Sequence, residues 1–570
     1  MTTREVAASK ALLGTVTLIL VALVGAPAAF AQTNAQRNDA LMSRLQLANP
    51  KLGAQDKYVS GGLRNVLNLA KRWSTIKSQL DQAAATHIER PAAVGVTTSG
   101  LASREAGFTQ SETSTAWCGT NAVIGFNDSG SLLETEAAAL GGTSGLSLMG
   151  FAQSTNANIT TGTPTFSDQG PVPAGPVNSG MGLFVASDPV LQCSSASNFF
   201  LSGVGFDCSS FVLNGGVTAC TAAQSNVTVS LSSDGGATFG APNVAIAKNF
   251  PDHTLDKDWM AVDSAHGEIY VTYTDFDNSS GNICGTDVFQ IQRIAIELVS
   301  STDGGTTWSA PAEVTHVCAD LLVNPDTSVT GSQIAVAADG SVYVAWEAIG
   351  LGGGNQKVRE IDIAKSTLGG ASFGASNKIT DVNCVGDCTD GTLQGSIRIL
   401  EFPSLVMGKG THAGKLYMAW NDGDNPQNDA LIGTYNFADV KLVSSSNGTT
   451  WSAPAKANIN AVSNTDHFQP TVSSDKTGRI AVCFYDRRND PNNFLIDRYC
   501  ASSTNGTTFT NTRITPKNFP SVVSQDALIA PNYMGDYDTV TSDTMNSVSG
   551  FRGAFANNVR GAPNVQANKF

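Results

Sequence analysis

The sequence predicts an all-β fold, a β-propeller of four-stranded blades that follows a short helical N-terminal segment. Two patterns recur along most of the 570 residues, and the composition agrees with them. The chain holds 56 glycines and only 14% charged residues, which is typical of short strands joined by tight turns. Because blades stack into one closed body, the repeats indicate a single β body and not the several domains that length alone would suggest.

The N-terminus predicts a secretory signal peptide over residues 1–31. Arg4 and Lys10 precede an apolar run over 11–24, and residues 29–31 (Ala-Phe-Ala) have the small side chains of a cleavage site. The mature protein is therefore expected to be secreted or periplasmic, without a membrane span. An uncleaved membrane anchor is the alternative.

Residues 32–108 are predicted to form a helical lead followed by a linker at 91–108. Apolar side chains recur in the lead with the spacing of one helix face. They are Leu63, Val66, Leu67, Leu69, Ala70, Trp73 and Ile76. We interpret the lead as a propeptide or a brace packed on the main body, and not as a source of catalytic residues.

The first recurring pattern, within residues 109–570, is a pair of strands that ends in an acidic residue or an amide. The clearest copy runs over 259–263 and 268–275. Related pairs begin at Gln333, Pro403 and Gln469, and further copies begin near Gln110, Asp188 and Met534. These copies give seven starts.

The second pattern is a turn of the form S-x-D-x-G-x-T-aromatic, known as the Asp-box. It is complete at 232–239 and 301–308. Degenerate copies lie at 366–373, 444–451 and 502–509, with Leu368, Ser446 and Thr504 at the Asp position, and a remnant runs from Ser154 to Phe166. The Asp is expected to accept backbone N–H groups of its own turn, while the Gly tolerates positive φ. Seven starts against six turns favour seven blades, the last completed by sequence near the N-terminus, with six as the alternative.

Ten cysteines, an even number, predict disulfides in an oxidising compartment. Cys483 and Cys500 flank a turn symmetrically and are expected to face each other across a hairpin. Cys384 and Cys388 are close enough to close a small loop. A zinc cluster is the alternative, but no CxxC pair supports it.

Strand polarity places the candidate site at one rim. First strands begin on the face where second strands end, whereas the Asp-box joins the third and fourth strands on the opposite face. Asp234 and Asp303 are therefore expected to be structural. The rim residues are Glu112, Asp128, Asp188, Asp256, Asp258, Asp275, Glu347, Asp422, Gln469, Asp486, Asp536 and Tyr537. Several of these acids suit a structural calcium ion, although no EF-hand-type loop specifies one and no cofactor is required.

Basic residues on this face are few, which makes them candidates for anion binding. Arg398, Arg487 and Arg488 offer planar guanidinium groups that bind carboxylates at two points. The alternative is that Arg487 and Arg488 form an ion-pair network with Asp486 between blades. A net charge of −14 and the lack of a basic stripe argue against a nucleic-acid partner.

The strand pairs and Asp-box turns resemble the sialidase-like family of BNR-repeat β-propellers, which includes secreted bacterial proteins of the exo-α-sialidase type. Segments 256–259, 485–491 and 533–537 are similar to its members. The family uses three arginines for the sialate carboxylate, an Asp acid/base, and a Tyr nucleophile assisted by a Glu. The Arg-Ile-Pro signature of the first blade is missing here. The roles implied are Asp258 as acid/base, Tyr537 as nucleophile, Glu347 as its helper, and Arg398, Arg487, Arg488 and Asp486 as substrate-binding residues.

The predicted function is that of an exported carbohydrate-active protein that hydrolyses or binds terminal, sialoside-type glycosides at the propeller mouth. A noncatalytic binding or adhesion propeller is the alternative, as is another glycan-cleaving enzyme on the same fold. A Tyr–Glu pair with three convergent arginines would favour the enzyme. Arginines held in ion pairs between blades would favour binding. The oligomeric state stays open.

Overall fold

The computed structural model describes residues 34–46, 58–85, 99–101, 108–140, 145–162, 164–177, 181–214, 217–284, 291–322, 326–351, 357–388, 391–424, 435–459, 464–520, 526, 528–529, 533–559 and 564–570. The predicted signal peptide lies outside the described residues. No helix within them is long and apolar enough to cross a membrane.

The described chain is mostly β, in antiparallel sheets. Within the described residues there are three helices, α1 (Asn34–Leu45), α2 (Gly61–Ala85) and α3 (Ser129–Leu140), and a 3-10 turn at Gly410–His412. The first strand is β1 (Ser99–Leu101).

Sheet I contains β2 (Gln110–Cys118), β3 (Asn121–Asp128), β4 (Met149–Ser154) and β5 (Ser167–Pro171). Sheet II contains β6 (Pro176–Val177), β7 (Met181–Cys193), β8 (Phe199–Asn214), β9 (Val217–Ser232) and β10 (Asn243–Phe250). Sheet III contains β11 (His253–Asp263), β12 (Glu268–Asp277), β13 (Ile291–Ser301) and β14 (Ala312–Asp320). Sheet IV contains β15 (Ser328–Val336), β16 (Val342–Leu351), β17 (Lys357–Ser366) and β18 (Asn377–Val382).

A small sheet then combines β19 (Gly386–Asp387), β20 (Thr392–Leu393), β21 (Ile397–Arg398) and β24 (Tyr435–Asn436). Sheet V contains β22 (Ser404–Met407), β23 (Leu416–Gly423), β25 (Ala438–Ser445) and β26 (Ala455–Lys456). Sheet VI contains β27 (His467–Ser474), β28 (Ile480–Asp486), β29 (Asp497–Ser503) and β30 (Thr510–Arg513). Sheet VII contains β31 (Val540–Ser542), β32 (Phe551–Asn557), β33 (Asn564–Lys569) and β1.

The first long strands of successive sheets pack against one another. They follow the order β2, β7, β11, β15, β22, β27 and β31, and β31 in turn contacts β2. Strands such as β2 and β28 are buried along their whole length, because both faces of each sheet are covered by neighbouring sheets.

Strand β1 lies in the segment predicted as a linker, but it pairs with β33 from Ser99 opposite Asn568 to Leu101 opposite Gln566. Without β1, the outer edge of sheet VII would present unpaired N–H and C=O groups. The structure thus agrees with the expectation that N-terminal sequence completes the last sheet.

The turns after the third strands behave as predicted where the Asp is present. The Asp303 Oδ1 atom accepts the N–H groups of Thr306 and Thr307 at 3.0 and 2.9 Å. Asp234 accepts the Thr238 N–H in the same way, at 3.0 Å. These two acids stabilise their own turns and lie at the end of the sheets away from the first-strand starts.

Two degenerate turns were aligned wrongly by one residue. Asn447 and Asn505, and not Ser446 and Thr504, take the place of the Asp, and each accepts two backbone N–H groups at 2.8 to 2.9 Å. The complete turns carry two glycines after the Asp, whereas these copies carry a single glycine directly after the Asn acceptor. In the remnant turn, Asn156 plays the same part and accepts the Thr165 N–H at 2.9 Å.

The predicted helical lead forms α1 and α2. All seven apolar residues predicted for its buried face are buried. The Trp73 indole N–H donates to Asp39 of α1 at 2.9 Å, and Lys77 forms an ion pair with Glu136 of α3. Helix α3, inserted between β3 and β4, was not predicted, and it shares a hydrophobic cluster with α2 and sheet II.

All ten cysteines are paired. The predicted bridges Cys483–Cys500 and Cys384–Cys388 are both present, with the first joining residues directly opposite in a hairpin. The remaining pairs are Cys118–Cys193, Cys208–Cys220 and Cys284–Cys318. Five disulfides fit an oxidising compartment.

We expect Asn505→Ala to lower the free energy of unfolding by about 1 kcal/mol, because the N–H groups of Thr507 and Thr508 lose their acceptor. Asn505→Asp keeps an acceptor and should be close to neutral. Denaturant unfolding of both variants measures this. Equal losses in the two variants would contradict the assignment of Asn505.

Candidate functional site

The first strands share a backbone feature at the rim, a β-bulge with one residue of positive φ. Glu112, Asp188, Lys257 and Gln469 have positive φ (52°, 61°, 51° and 49°), and strand register shifts at each of them. Gly331 has this conformation (66°) at the matching shift in β15. A bulge re-aims its side chain, and non-glycine residues in this region cost roughly 1–3 kcal/mol each, a strain that clusters at functional sites. The bulges turn side chains of different sheets toward one another.

The side chains meet in a cluster around Asp536. Its Oδ2 atom lies 2.5 Å from the Lys257 Nζ, and both its carboxylate oxygens lie 2.8 Å from the Arg398 Nη1. All three residues are buried. Although burial opposes ionisation, the two cations hold the pKa of Asp536 well below its usual range. Asp536 is therefore a carboxylate at neutral pH.

Glu112 and Asp188 form a carboxyl pair beside this cluster. The Glu112 carboxyl accepts the Asn127 amide N–H at 2.7 Å and the Asp536 backbone N–H at 3.0 Å. Burial, followed by repulsion from Asp188, raises the pKa of Glu112 well above its usual range. Burial likewise raises the pKa of Asp188, to about 6. The pair holds a proton where two exposed carboxylates would be ionised.

Asp258 and Tyr537, predicted as acid/base and nucleophile, lie close together. The Asp258 Oδ2 atom accepts the Ser202 hydroxyl at 2.5 Å. Burial is the largest cause that raises the pKa of Asp258 well above its usual range, which favours the protonated form of this carboxyl. The Tyr537 hydroxyl donates to the Pro189 carbonyl at 3.0 Å, and its ring meets the Trp259 ring edge-on at 5.5 Å.

A cavity lies between the first strands of sheets III to VII. Its walls include Asp258, Trp259, Phe402, Gln469, Asp536 and Tyr537. Protonated and ionised acids, amides and aromatic faces thus share one enclosed space.

Glu347, predicted to assist Tyr537, lies beside other charged groups. The acids that act on Tyr537 are Glu112, Asp188 and Asp258. Burial, followed by repulsion from the nearby Glu401, raises the pKa of Glu347 well above its usual range, and its Oε1 atom lies 3.7 Å from the Arg359 Nη1. The family resemblance predicted a glutamate for this role, but Glu347, on β16, lies in a different acid cluster.

The three arginines do not converge. Only Arg398 reaches Asp536. Arg487 is fully buried and pairs with Asp466 at 3.1 Å, whereas Arg488 pairs with Asp486 at 2.6 Å. Both arginines are held in ion pairs, although Arg487 pairs with Asp466 and not, as the ion-pair alternative had it, with Asp486. Arg488 also donates to the Ile459 carbonyl, in the segment after sheet V, and to Asn511 of sheet VI. These hydrogen bonds connect the two sheets.

Sequence reasoning missed two side chains of the cluster. Lys257 stands between Asp256 and Asp258 in a segment quoted for its family likeness, but its charge was not used. The Tyr533 hydroxyl accepts the Asn127 amide N–H at 3.1 Å, and the same amide donates to Glu112. The signal for Lys257 that the sequence offered was a single lysine among the many acidic residues of the rim.

The start of α2 lies over the cluster. The Ser60 N–H donates to Asp256 at 2.6 Å, and the Gly61 N–H donates to Asp536 at 2.9 Å. The Val59 carbonyl accepts the Arg398 Nη2 at 2.5 Å. The helical lead thus reaches the functional rim, which the sequence did not predict.

A separate group of acids lies on sheet III. His253, Asp275 and Asp277 present ligand atoms within 4.8 Å of one another, the geometry of a metal site. Lys248 lies 2.7 Å from Asp275 and 2.5 Å from Glu297, so its ammonium group already pairs with one acid of the group. The predicted structural calcium stays a prediction.

The sequence matches no protein-family model and none of the curated proteins. Among solved structures, a protein of unknown function from Dyadobacter fermentans is similar at 15% identity over 70% of this chain and 96% of that one, with a TM-score of 0.38. A Hadza microbial sialidase has 14% identity over 67% and 64% of the two chains, with a TM-score of 0.37. An α-L-arabinofuranosidase of Fusarium graminearum has 10% identity over 70% and 92%, with a TM-score of 0.40.

We expect the Glu112–Asp188 pair to make stability depend on pH. The folded protein holds the Asp188 proton more tightly than the unfolded chain, since the pKa rises from 3.8 to about 6. Ionisation of Asp188 therefore lowers the free energy of unfolding by about 2–3 kcal/mol as pH rises from about 4 to about 6. Above that pH range Asp188 contributes no further change.

Asp188→Asn should flatten that part of the profile, because the amide does not ionise. Denaturant unfolding of both proteins at pH 4.5, 5.5 and 7 measures the difference. Parallel profiles for the two proteins would contradict a proton held at Asp188.

Proposed function

We propose that the protein is a glycoside hydrolase that binds a neutral glycan in the cavity between its first strands. The observation that carries this proposal is that two acids of one cavity have opposite surroundings. Asp258 is buried with a serine hydroxyl as its partner, whereas Asp536 is held by Lys257 and Arg398. Enzymes assign acid and base roles to carboxyl groups in this way.

The two acids suit the two halves of glycoside hydrolysis. Protonated Asp258 donates its proton to the leaving oxygen of the glycosidic bond. The Asp536 carboxylate either draws a proton from the attacking water or attacks the anomeric carbon itself. These routes give products of opposite anomeric configuration, which NMR of the fresh product distinguishes.

The cavity walls suit a sugar. The Trp259 and Phe402 rings supply apolar faces for the C–H groups of a pyranose or furanose. The Gln333, Asn421 and Gln469 amides both donate and accept, as sugar hydroxyls require.

A neutral substrate fits better than a sialoside. Lys257 and Arg398 are already paired with Asp536, and Arg487 and Arg488 bind other acids. A sugar carboxylate would face Asp536 without a cation of its own. The Tyr537 hydroxyl donates to a backbone carbonyl, and its pKa is raised well above its usual range, so a carboxylate pair is favoured over a tyrosine nucleophile.

We also propose that the sheets form a closed seven-bladed propeller. Seven large sheets within the described residues, the contact of β31 with β2, and the pairing of β1 with β33 support it. In that arrangement the cavity lies on the central axis.

We expect Asp258→Asn to lower kcat on alkyl glycosides by about 10²- to 10⁴-fold, because the leaving oxygen loses its acid. Folding should be little affected, since the native carboxyl is already neutral and Ser202 can donate to the amide. Dinitrophenyl glycosides, whose leaving group needs no proton, should retain much more activity. The measurement is product release from both classes by wild type and variant.

Asp207→Asn is the matched control, because burial raises the pKa of Asp207 to about 6 but this residue does not line the cavity. It should keep full activity. A variant that loses equal activity on both substrate classes would contradict the acid role of Asp258. Binding of neutral glycans without turnover of any glycoside would identify a noncatalytic propeller.

A further inference from the structure

We propose that residues 58–63, here called the mouth segment, act as an intramolecular plug that external ligands must displace. The identity of the ligand rests on the proposed function, but the plug itself does not. Every residue of the segment is buried, although it lies outside the sheets and begins a surface-facing helix.

The mouth segment bridges several sheets through consecutive residues. The Tyr58 hydroxyl donates to Asp326, at the start of sheet IV, at 3.2 Å. As described above, Val59 binds Arg398, Ser60 binds Asp256 of sheet III, and Gly61 binds Asp536 beside sheet VII. Four adjacent residues thus engage four separate elements of the rim.

These contacts use the groups that a sugar would need. The Gly61 N–H occupies the Asp536 carboxylate, which lines the cavity and is the proposed base. The Ser60 N–H and the Val59 carbonyl occupy another acid and the guanidinium group. A glycan hydroxyl that donates to Asp536 competes directly with the plug.

The segment is shaped for docking and not for helix formation. A Cβ atom at Gly61 would lie 2.0 Å from the Tyr533 ring, and one at Gly62 would lie 2.4 Å from the Ser187 Cβ. Glycine has a lower helix propensity than alanine. Two glycines in the first turn therefore weaken the helix while they permit close approach to the rim.

The remainder of α2 is anchored independently. Leu69, Trp73 and Ile76 are buried in the hydrophobic cluster shared with sheet II, and Trp73 also binds Asp39. Ser60 is the N-cap, since its hydroxyl accepts the Leu63 N–H at 2.9 Å. The first turn can open while later turns stay docked, because helix ends open at lower free energy than packed interiors.

A plug of this kind lowers the apparent affinity of the site. If only a fraction of molecules is open, the observed dissociation constant equals the intrinsic one divided by that fraction. A change that excludes the segment from the mouth therefore raises ligand affinity without touching the residues that bind the ligand.

Gly61→Ala and Gly62→Ala test the plug in the full-length chain, because each adds a clash with the rim and at the same time favours the helix. Asn68→Ala is the matched control, an exposed position on the same helix. Thermal unfolding first confirms that each variant is folded. Amide hydrogen exchange over 58–63 should rise by about tenfold or more in both glycine variants, with 66–76 unchanged.

Two ligands are then titrated into each protein. A capped peptide with the sequence of residues 58–63 (Tyr-Val-Ser-Gly-Gly-Leu) should bind both glycine variants and neither wild type nor Asn68→Ala. Neutral aryl glycosides should show kcat/KM about tenfold or more higher in the glycine variants.

The outcomes separate the two proposals. Peptide binding restricted to the glycine variants supports the plug even if no glycoside is bound or cleaved, and the proposed hydrolase is then wrong. Faster exchange with no peptide binding, or with reduced glycoside turnover, overturns the plug and makes the segment a structural part of the site.

Discussion

The carboxylate of Asp536 binds three parts of the chain that are far apart in sequence. Lys257 comes from sheet III, Arg398 from the small sheet, and Gly61 from the helical lead, while Asp536 itself precedes sheet VII. A buried charge is stable only when its partners compensate for the lost hydration. Removal of one partner leaves the others uncompensated, so the cluster ties the position of each element to the rest.

The cluster also separates the states of the neighbouring acids. Two cations are committed to Asp536, so Glu112, Asp188 and Asp258 are buried without equivalent compensation and their pKa values rise. The same burial that would destabilise three carboxylates therefore produces three carboxyl groups able to hold protons. The cavity contains both a carboxyl group that favours its protonated form and a carboxylate, because the two nearby cations both pair with Asp536.

Sequence reasoning succeeded where the pattern was local. The apolar stripe of α2, the Cys483–Cys500 pair and the turn at Asp303 depend on residues close in the chain, and all are confirmed. It failed where a side chain had to choose among distant partners. Glu347 and Arg487 stand at the predicted rim, but each lies beside a partner of opposite charge, Arg359 and Asp466 respectively. The Asn505 turn was misaligned because a missing glycine changes spacing without changing function.

The sequence by itself determined the β architecture, the rim at which first strands begin, and the acidic character of that rim, because strand periodicity and turn chemistry are properties of short segments. The tertiary structure alone decided which acids are ionised, because ionisation depends on burial and on cations brought from other sheets. It also decided that the start of α2 lies over the Asp536 cluster. Nothing in Gly61 or Gly62 reveals their partners, since a glycine required for close approach and a glycine in a loop have the same side chain.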